Sequence, residues 1–584
     1  MVETNWSLES IYKSVDSEEF KRDIDEFSSA VDELNKWAEE NLKGSPDKNI
    51  AKNLLEEYIS RKNKVESYGT AAIYLQLGAS VDTSNAELQR LMDRFENTAS
   101  GCALHEAVFL QWLKGCEDFD FINESDVLKE HEFYIKEQSE LAKHTLSPNE
   151  ELAIARMKTT GSTAWQKLWE NVSSNAEVSY DGKTITLSEV RALADSHDKE
   201  TRKKAYKAEL AAYKSFDTSA AYAMNGIKGE VLTTSALHGY LSPLDEVLEQ
   251  SRIDRGILDA MLDAVKASLP VFRKYFEKKA EVLGDKNGLE FYDIFAPIND
   301  SHINYTLDEA KDAVLSAFNA FSPKLGSFAE GEFANHRLDL LPKKGKVGGA
   351  FSESVHGRKE VRYLINFTGS FNDAVTIAHE LGHGYHSHLL FENSFLNSDY
   401  PMPIAETAST LCETIFINNA LKSASKDEQI YILETDMQGA AQTLVDIYSR
   451  FLFEDKVFEM RKNGPLSSEE MQDIMVEAQK QTYCKLGSYH PYMWACKPHY
   501  YDADYNYYNF PYAFGMLLSK ALYGIYLKDK DNFMPLYDKL LCATGTLKLA
   551  DVAKIAGIDL YSKDFWLSGV DVISKDIDKL TNML

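Results

Sequence analysis

Residues 379–383 read His-Glu-Leu-Gly-His. On a helix, side chains four positions apart share a face, with about 6 Å of rise between them. His379 and His383 can therefore aim two imidazoles at one metal ion, with Glu380 beside them. Two other His-Glu pairs, His105-Glu106 and His131-Glu132, lack the second histidine and offer no such clamp. The competing reading of 379–383 is a buried helix whose two histidines are hydrogen-bonded core residues.

A catalytic zinc needs a third protein ligand and an open position for water. The continuation that supplies a third histidine requires glycine at position 386 and histidine at 389, where this chain has His386 and Leu389. Three carboxylates lie downstream. Glu392 is too near the first helix to swing back. Glu406, within PMPIAETASTLCETIF, sits in a second helical apolar pattern and is the ligand of choice. Glu413, two turns on, is a candidate partner for one of the histidines. The competing reading of both is an ordinary helix carboxylate. His386 and His388 are read as non-ligands, and Cys496–His499 as a CxxH without a partner motif.

Nine of the 31 tyrosines fall between Tyr483 and Tyr512, too dense a cluster for chance placement. Either they form an aromatic packing layer, or some of them line a cleft with His499. In the second case their donors suit the oxyanion formed when water attacks a peptide carbonyl.

The elements that must carry these groups are mostly helical. Residues 17–41 place Phe20, Ile24, Phe27, Val31, Leu34 and Trp37 three or four apart, opposite a charged face. Stretches 48–77, 85–113, 257–282, 307–322 and 403 onward repeat that texture. It breaks at VSYDGKTITL, residues 178–187, where Asp181-Gly182 predicts a tight hairpin turn. Ser188 is expected to cap the next helix, and a lobe boundary is placed near residue 190. A second β-like region spans 348–367, and 361–367 is expected to be an edge strand able to pair with an extended peptide. Asn372 or Asp373 is expected to cap the helix of His379.

Composition excludes several functions. The chain has 584 residues, 44% of them hydrophobic and 26% charged, as in a globular protein. With 63 basic against 91 acidic residues its formal charge is −28, which argues against nucleic acid or an anionic membrane as partner. No secretory signal pattern and no membrane-spanning apolar run is visible. The six cysteines form no CxxC pair and read as reduced thiols, so a cytoplasmic setting is expected.

HELGH at 379–383, AETAST around Glu406 and the later KPHYY…YYNFPYAFG resemble the oligoendopeptidase F family of zinc peptidases, related to thimet oligopeptidase. Weaker matches extend over most of the chain, among them Trp6-Ser7-Leu8, YDGKTITLSEVRAL and GYLSPLDEVL. The resemblance implies one zinc ion per chain held by His379, His383 and Glu406, with Glu380 as general base. It implies that His499 and Tyr508 bind the substrate carbonyl, with Tyr505 and Tyr512 as secondary candidates. Here Asp502, Ala503 and Asp504 separate the two halves of the last motif, so which tyrosine reaches the oxyanion stays open. The implied fold is mainly α: a two-lobed, gluzincin-like helical shell around a deep cleft, with a small sheet beside the HExxH helix. Residues 1–190 would form the N-terminal lobe and 191–584 the catalytic domain. The implied substrates are oligopeptides cut at internal bonds. A dipeptidyl carboxypeptidase on the same site, or a non-catalytic peptide-binding scaffold, are the alternatives.

Overall fold

The structure is a computed structural model that describes residues 2–44, 47–116, 119–483 and 485–584. The helix Glu18–Asn41 opens where expected: the Ser17 side chain accepts the Phe20 N–H, and Phe20, Ile24, Phe27, Val31 and Leu34 are buried. The stretch from 48 divides into Lys48–Ser67 and Gly69–Val81, and that from 85 into Ala86–Ala99, capped by Asn85, and Cys102–Leu113. Their apolar faces close on one another as an N-terminal cluster, which Val355 joins from the sheet. A larger cluster begins at Trp169 and runs through the rest of the chain. The chain is mainly helical, and no described helix is long and apolar enough to cross a membrane.

The hairpin forms as predicted. Strands β1 (Val178–Tyr180) and β2 (Lys183–Ile185) pair antiparallel. Asp181 at φ 46° and Gly182 at φ 74° both take the left-handed conformation that a two-residue turn between twisted strands requires. The next cap differs from expectation. Thr186, not Ser188, precedes the first helical residue and closes a capping box with Glu189. That helix is short, Leu187–Ala192, and the following one, Lys199–Leu237, starts afresh on Asp198.

The second sheet corrects another expectation. Its strands are β3 (Leu338–Asp339), β4 (Phe351–Val355) and β5 (Glu360–Leu364), in the order β3–β5–β4. The predicted edge strand is therefore the centre of the sheet, parallel to β3 and antiparallel to β4. The burial of Val361, Tyr363 and Leu364 is what a strand paired on both sides requires. Among the described residues β3 and β4 each pair with β5 alone and are the two edges, and β4 and β5 pack on the HExxH helix.

Candidate metal centre and active-site cavity

The HExxH helix spans Phe371–Leu390. Its cap is Ser370, two residues before Asn372 and three before Asp373. The Ser370 hydroxyl accepts the Asp373 N–H at 3.1 Å, and the Asp373 carboxylate accepts the N–H groups of Thr368, Gly369 and Ser370 at 2.8–3.0 Å. Asp373 is thus the third residue of a capping box, a helix start held from both sides. The partner helix, Met402–Ala420, lies backbone to backbone against it. A Cβ on Gly382 would sit 2.7 Å from the Ala408 carbonyl oxygen, so this approach requires glycine.

That approach brings three donors together. Nε2 of His379 and Nε2 of His383 are 3.1 Å apart, and Oε2 of Glu406 lies 3.4 and 3.5 Å from them. Two imidazole nitrogens converging on one carboxylate oxygen are a donor set for a divalent metal. The far side of His379 supports this: its Nδ1–H donates to Oε1 of Glu413, which turns Nε2 towards His383 and Glu406. Ser409 Oγ steadies Glu406 with a 2.8 Å bond to Oε2. Burial disfavours the charged form of His379, yet the hydrogen bond and charge of Glu413, joined by Glu406, raise its pKa to about 9. For Glu406 burial is again overcome, here by the two histidines, which hold it at about 2.

Glu380 is 5% exposed and its Oε2 has no hydrogen-bond partner. Burial raises its pKa against the pull of His379, His383 and a hydrogen bond from Ser352 on β4. A buried carboxylate of raised pKa with a free oxygen beside a metal-type donor set is suited to moving a proton.

A cavity of about 440 Å³ opens on this centre, with His379, Glu406, Glu413, Phe371, Asp436 and Tyr512 in its wall. Tyr512 reaches it because the helix Phe510–Lys528 approaches Glu406 through Gly515, where an added Cβ would be 3.0 Å from that of Glu406. The other tyrosines lie further out. The Tyr508 hydroxyl is 3.0 Å from that of Tyr512, and Tyr505, 53% exposed, packs edge-on against Tyr508. His499 lies beside Tyr508, with ring centroids 5.9 Å apart, and its Nε2 is 2.7 Å from Nδ2 of Asn509. Burial first, then the cations Arg450, Lys228 and Lys497, depress its pKa to about 2.

The remaining histidines stay out of the site. His386 is fully buried, bonded through Nε2 to Thr544 and stacked on Tyr400, and burial lowers its pKa to about 3. His388 packs on Phe328, and Glu392 is an exposed partner of Lys359. Among the described residues His379, His383 and Glu406 are the only group with metal-ligand geometry, so Cys496–His499 is not one. The described cysteines are free thiols, and Cys484 lies outside the described residues. Sequence reasoning did not find Ser352, Ser409 or Asn509; only Ser409, three residues after Glu406 on one helix, carried a local signal.

Residues 192–572 match Peptidase family M3, and 102–176 match Oligopeptidase F. The chain belongs to peptidase family M3. It is a metallopeptidase of the oligoendopeptidase F group. Oligopeptidase PepF of Bacillus subtilis is 24% identical to this M3 peptidase over all of its chain and 87% of the relative. An oligoendopeptidase F homolog of Lactococcus lactis is also 24% identical, over 99% and 97%. In fold, the M3 peptidase matches a solved chain from Chlamydophila abortus at TM-score 0.85 and 23% identity, covering 100% and 98% of the two. It matches oligoendopeptidase-F from Enterococcus faecium at TM-score 0.68 and 20% identity, covering 97% and 99%.

Proposed function

We propose that this M3 peptidase binds one zinc ion through His379, His383 and Glu406 and hydrolyses internal bonds of oligopeptides, with Glu380 as general base. The observation that carries the reading is the convergence of three metal-type donors beside a buried glutamate with a free oxygen. When bound, zinc supplies Lewis-acid polarisation of a carbonyl and lowers the pKa of a water to about 7. The chain's own residues do the rest. Glu380 accepts the proton of the attacking water and returns it to the leaving amine. Tyr512, with Tyr508 hydrogen-bonded behind it, donates to the carbonyl oxygen as negative charge develops, and His499 supplies a second donor. Glu413 fixes the tautomer of His379. Strand β4 offers main-chain groups to an extended peptide at its free edge, beside Ser352 and Glu380.

The two apolar clusters support a division into an N-terminal lobe and a catalytic domain, with the clusters parting between Ala142 and Trp169, before residue 190. Free thiols support a cytoplasmic setting, and the acidic balance supports peptides rather than nucleic acid or membrane as partners. Metal analysis of the purified protein, combined with mass-spectrometric mapping of cleavage in free, N-acetylated and C-amidated forms of one peptide, tests the proposal. One equivalent of zinc and the same internal cut in all three forms are expected. Loss of cleavage on blocking either end would make the enzyme an exopeptidase.

A further inference from the structure

An amide–imidazole hydrogen bond reveals where protons sit only when something else fixes which end of the amide meets the ring. Asn509 is fixed in that way. Nη1 of Arg450 donates to its Oδ1 at 2.9 Å, while its Nδ2 lies 2.7 Å from Nε2 of His499. A guanidinium carries five N–H donors and no acceptor, so an inverted amide would set donors against donors. Oδ1 belongs to the arginine, and Nδ2–H donates to Nε2. Nε2 must then carry a lone pair, which leaves the ring proton on Nδ1. An imidazolium would again place two N–H groups face to face.

The surroundings agree. The ring faces Arg450 from the helix Ile447–Arg461, Lys228 from the helix Lys199–Leu237 and Lys497 from its own segment, with Asp446 the opposing charge and the rings of Tyr500 and Tyr508 packed beside it. Arg450 is held by an ion pair with Asp446, at the end of a π-helical turn, Gln442–Asp446, and Tyr500 donates to its carbonyl at 3.2 Å. Asp446, Arg450 and Asn509 are 5%, 9% and 8% exposed. Asn509 also stands at the N-cap of Phe510–Lys528, where an asparagine side chain ordinarily accepts a backbone N–H, yet it makes no capping bond. Its side chain serves the histidine instead.

We propose that Arg450 and Asn509 are positioning residues that lock His499 as the neutral Nδ1–H tautomer, a fixed hydrogen-bond donor for the substrate that takes no part in proton transfer. This rests on His499 serving the peptidase site proposed above. The bond from Asn509 occupies Nε2, and the proposal assigns the Nδ1–H to a substrate carbonyl.

The test uses the metal-loaded enzyme labelled with nitrogen-15 in its histidine rings. Long-range proton–nitrogen spectra report which ring nitrogen is bare, and His499 is assigned by the signals missing from His499→Gln. A bare Nε2 and protonated Nδ1, unchanged from neutral to mildly acidic pH, are expected. A proton on Nε2, or on both nitrogens, would overturn the assignment. In Asn509→Asp a carboxylate would accept from Nε2–H and stabilise the wrong forms of the ring. There kcat should fall at least ~10-fold with KM little changed, and a new ionisation should enter the acid limb of the pH profile. An unaltered kcat and profile in this variant would overturn the positioning role. Full activity of His499→Gln would instead refute the site reading beneath it, whatever tautomer the spectra report.

Discussion

Two histidine neighbourhoods, linked through Tyr508 and Tyr512, have opposite electrostatics. His379 stands among carboxylates, Glu413 on one face and Glu406 on the other, and its pKa is carried up to about 9. His499 stands among Arg450, Lys228 and Lys497, and its pKa is driven down to about 2. Both rings are largely buried, so burial alone would push both the same way; neighbouring charge decides the difference. Acidic surroundings make a basin for a cation, with basic ligands held in place. Cationic surroundings keep a ring neutral, as the proposed donor to developing negative charge requires. The division of labour lies less in the histidines than in what encircles each of them.

That contrast can be broken one side at a time. On the metal side His383→Ala should have the largest effect, removing both bound zinc and hydrolysis; stoichiometric metal in that variant would refute the ligand set. Glu380→Gln should separate the two properties. Zinc stays, while kcat drops by ~10²–10⁴-fold, the usual contribution of a positioned general base; a pre-steady-state assay showing wild-type turnover would exclude the role. On the side of the oxyanion donors, Tyr512→Phe should lower kcat by ~10²–10³-fold. Tyr508→Phe should cost less, since its hydroxyl meets Tyr512 rather than the cavity wall. If steady-state kinetics reverse that order, Tyr508 is the donor and Tyr512 its support. The mildest change is Glu413→Gln, which keeps the shape but removes the charge behind His379. Titration against a competing chelator should show zinc affinity reduced ~10–100-fold, and equal affinity would make Glu413 a bystander.

The two neighbourhoods were not equally legible beforehand. His379, Glu380 and His383 lie within one helical turn, so spacing alone shows that they share a face. Glu406 follows on the next long helix, and Glu413 repeats its face two turns later. The groups around His499 come from separate parts of the chain: Lys228 from a helix of 39 residues, Arg450 from beyond a π-helical turn, Asn509 from a helix start. No local period connects them; packing does. The same reason explains the sheet. Alternation in 361–367 signals a strand, but its central place depends on β3, only two residues long and without a readable pattern. The misassigned caps at Ser188 and Asn372 differ in kind. Each lies within two or three residues of a true cap, and several side chains there are chemically able to serve.

Gly382 sits between the two histidines yet contributes no ligand. Because it has no side chain, the main chains carrying the imidazoles and Glu406 touch directly, like the jaws of a calliper with nothing between them. The aperture offered to the ion is then gauged by contact between two backbones rather than by the rotamers of the ligands themselves. A single methyl group at this position, far smaller than any ligand, would open the jaws and detune the site for ions of one radius against another.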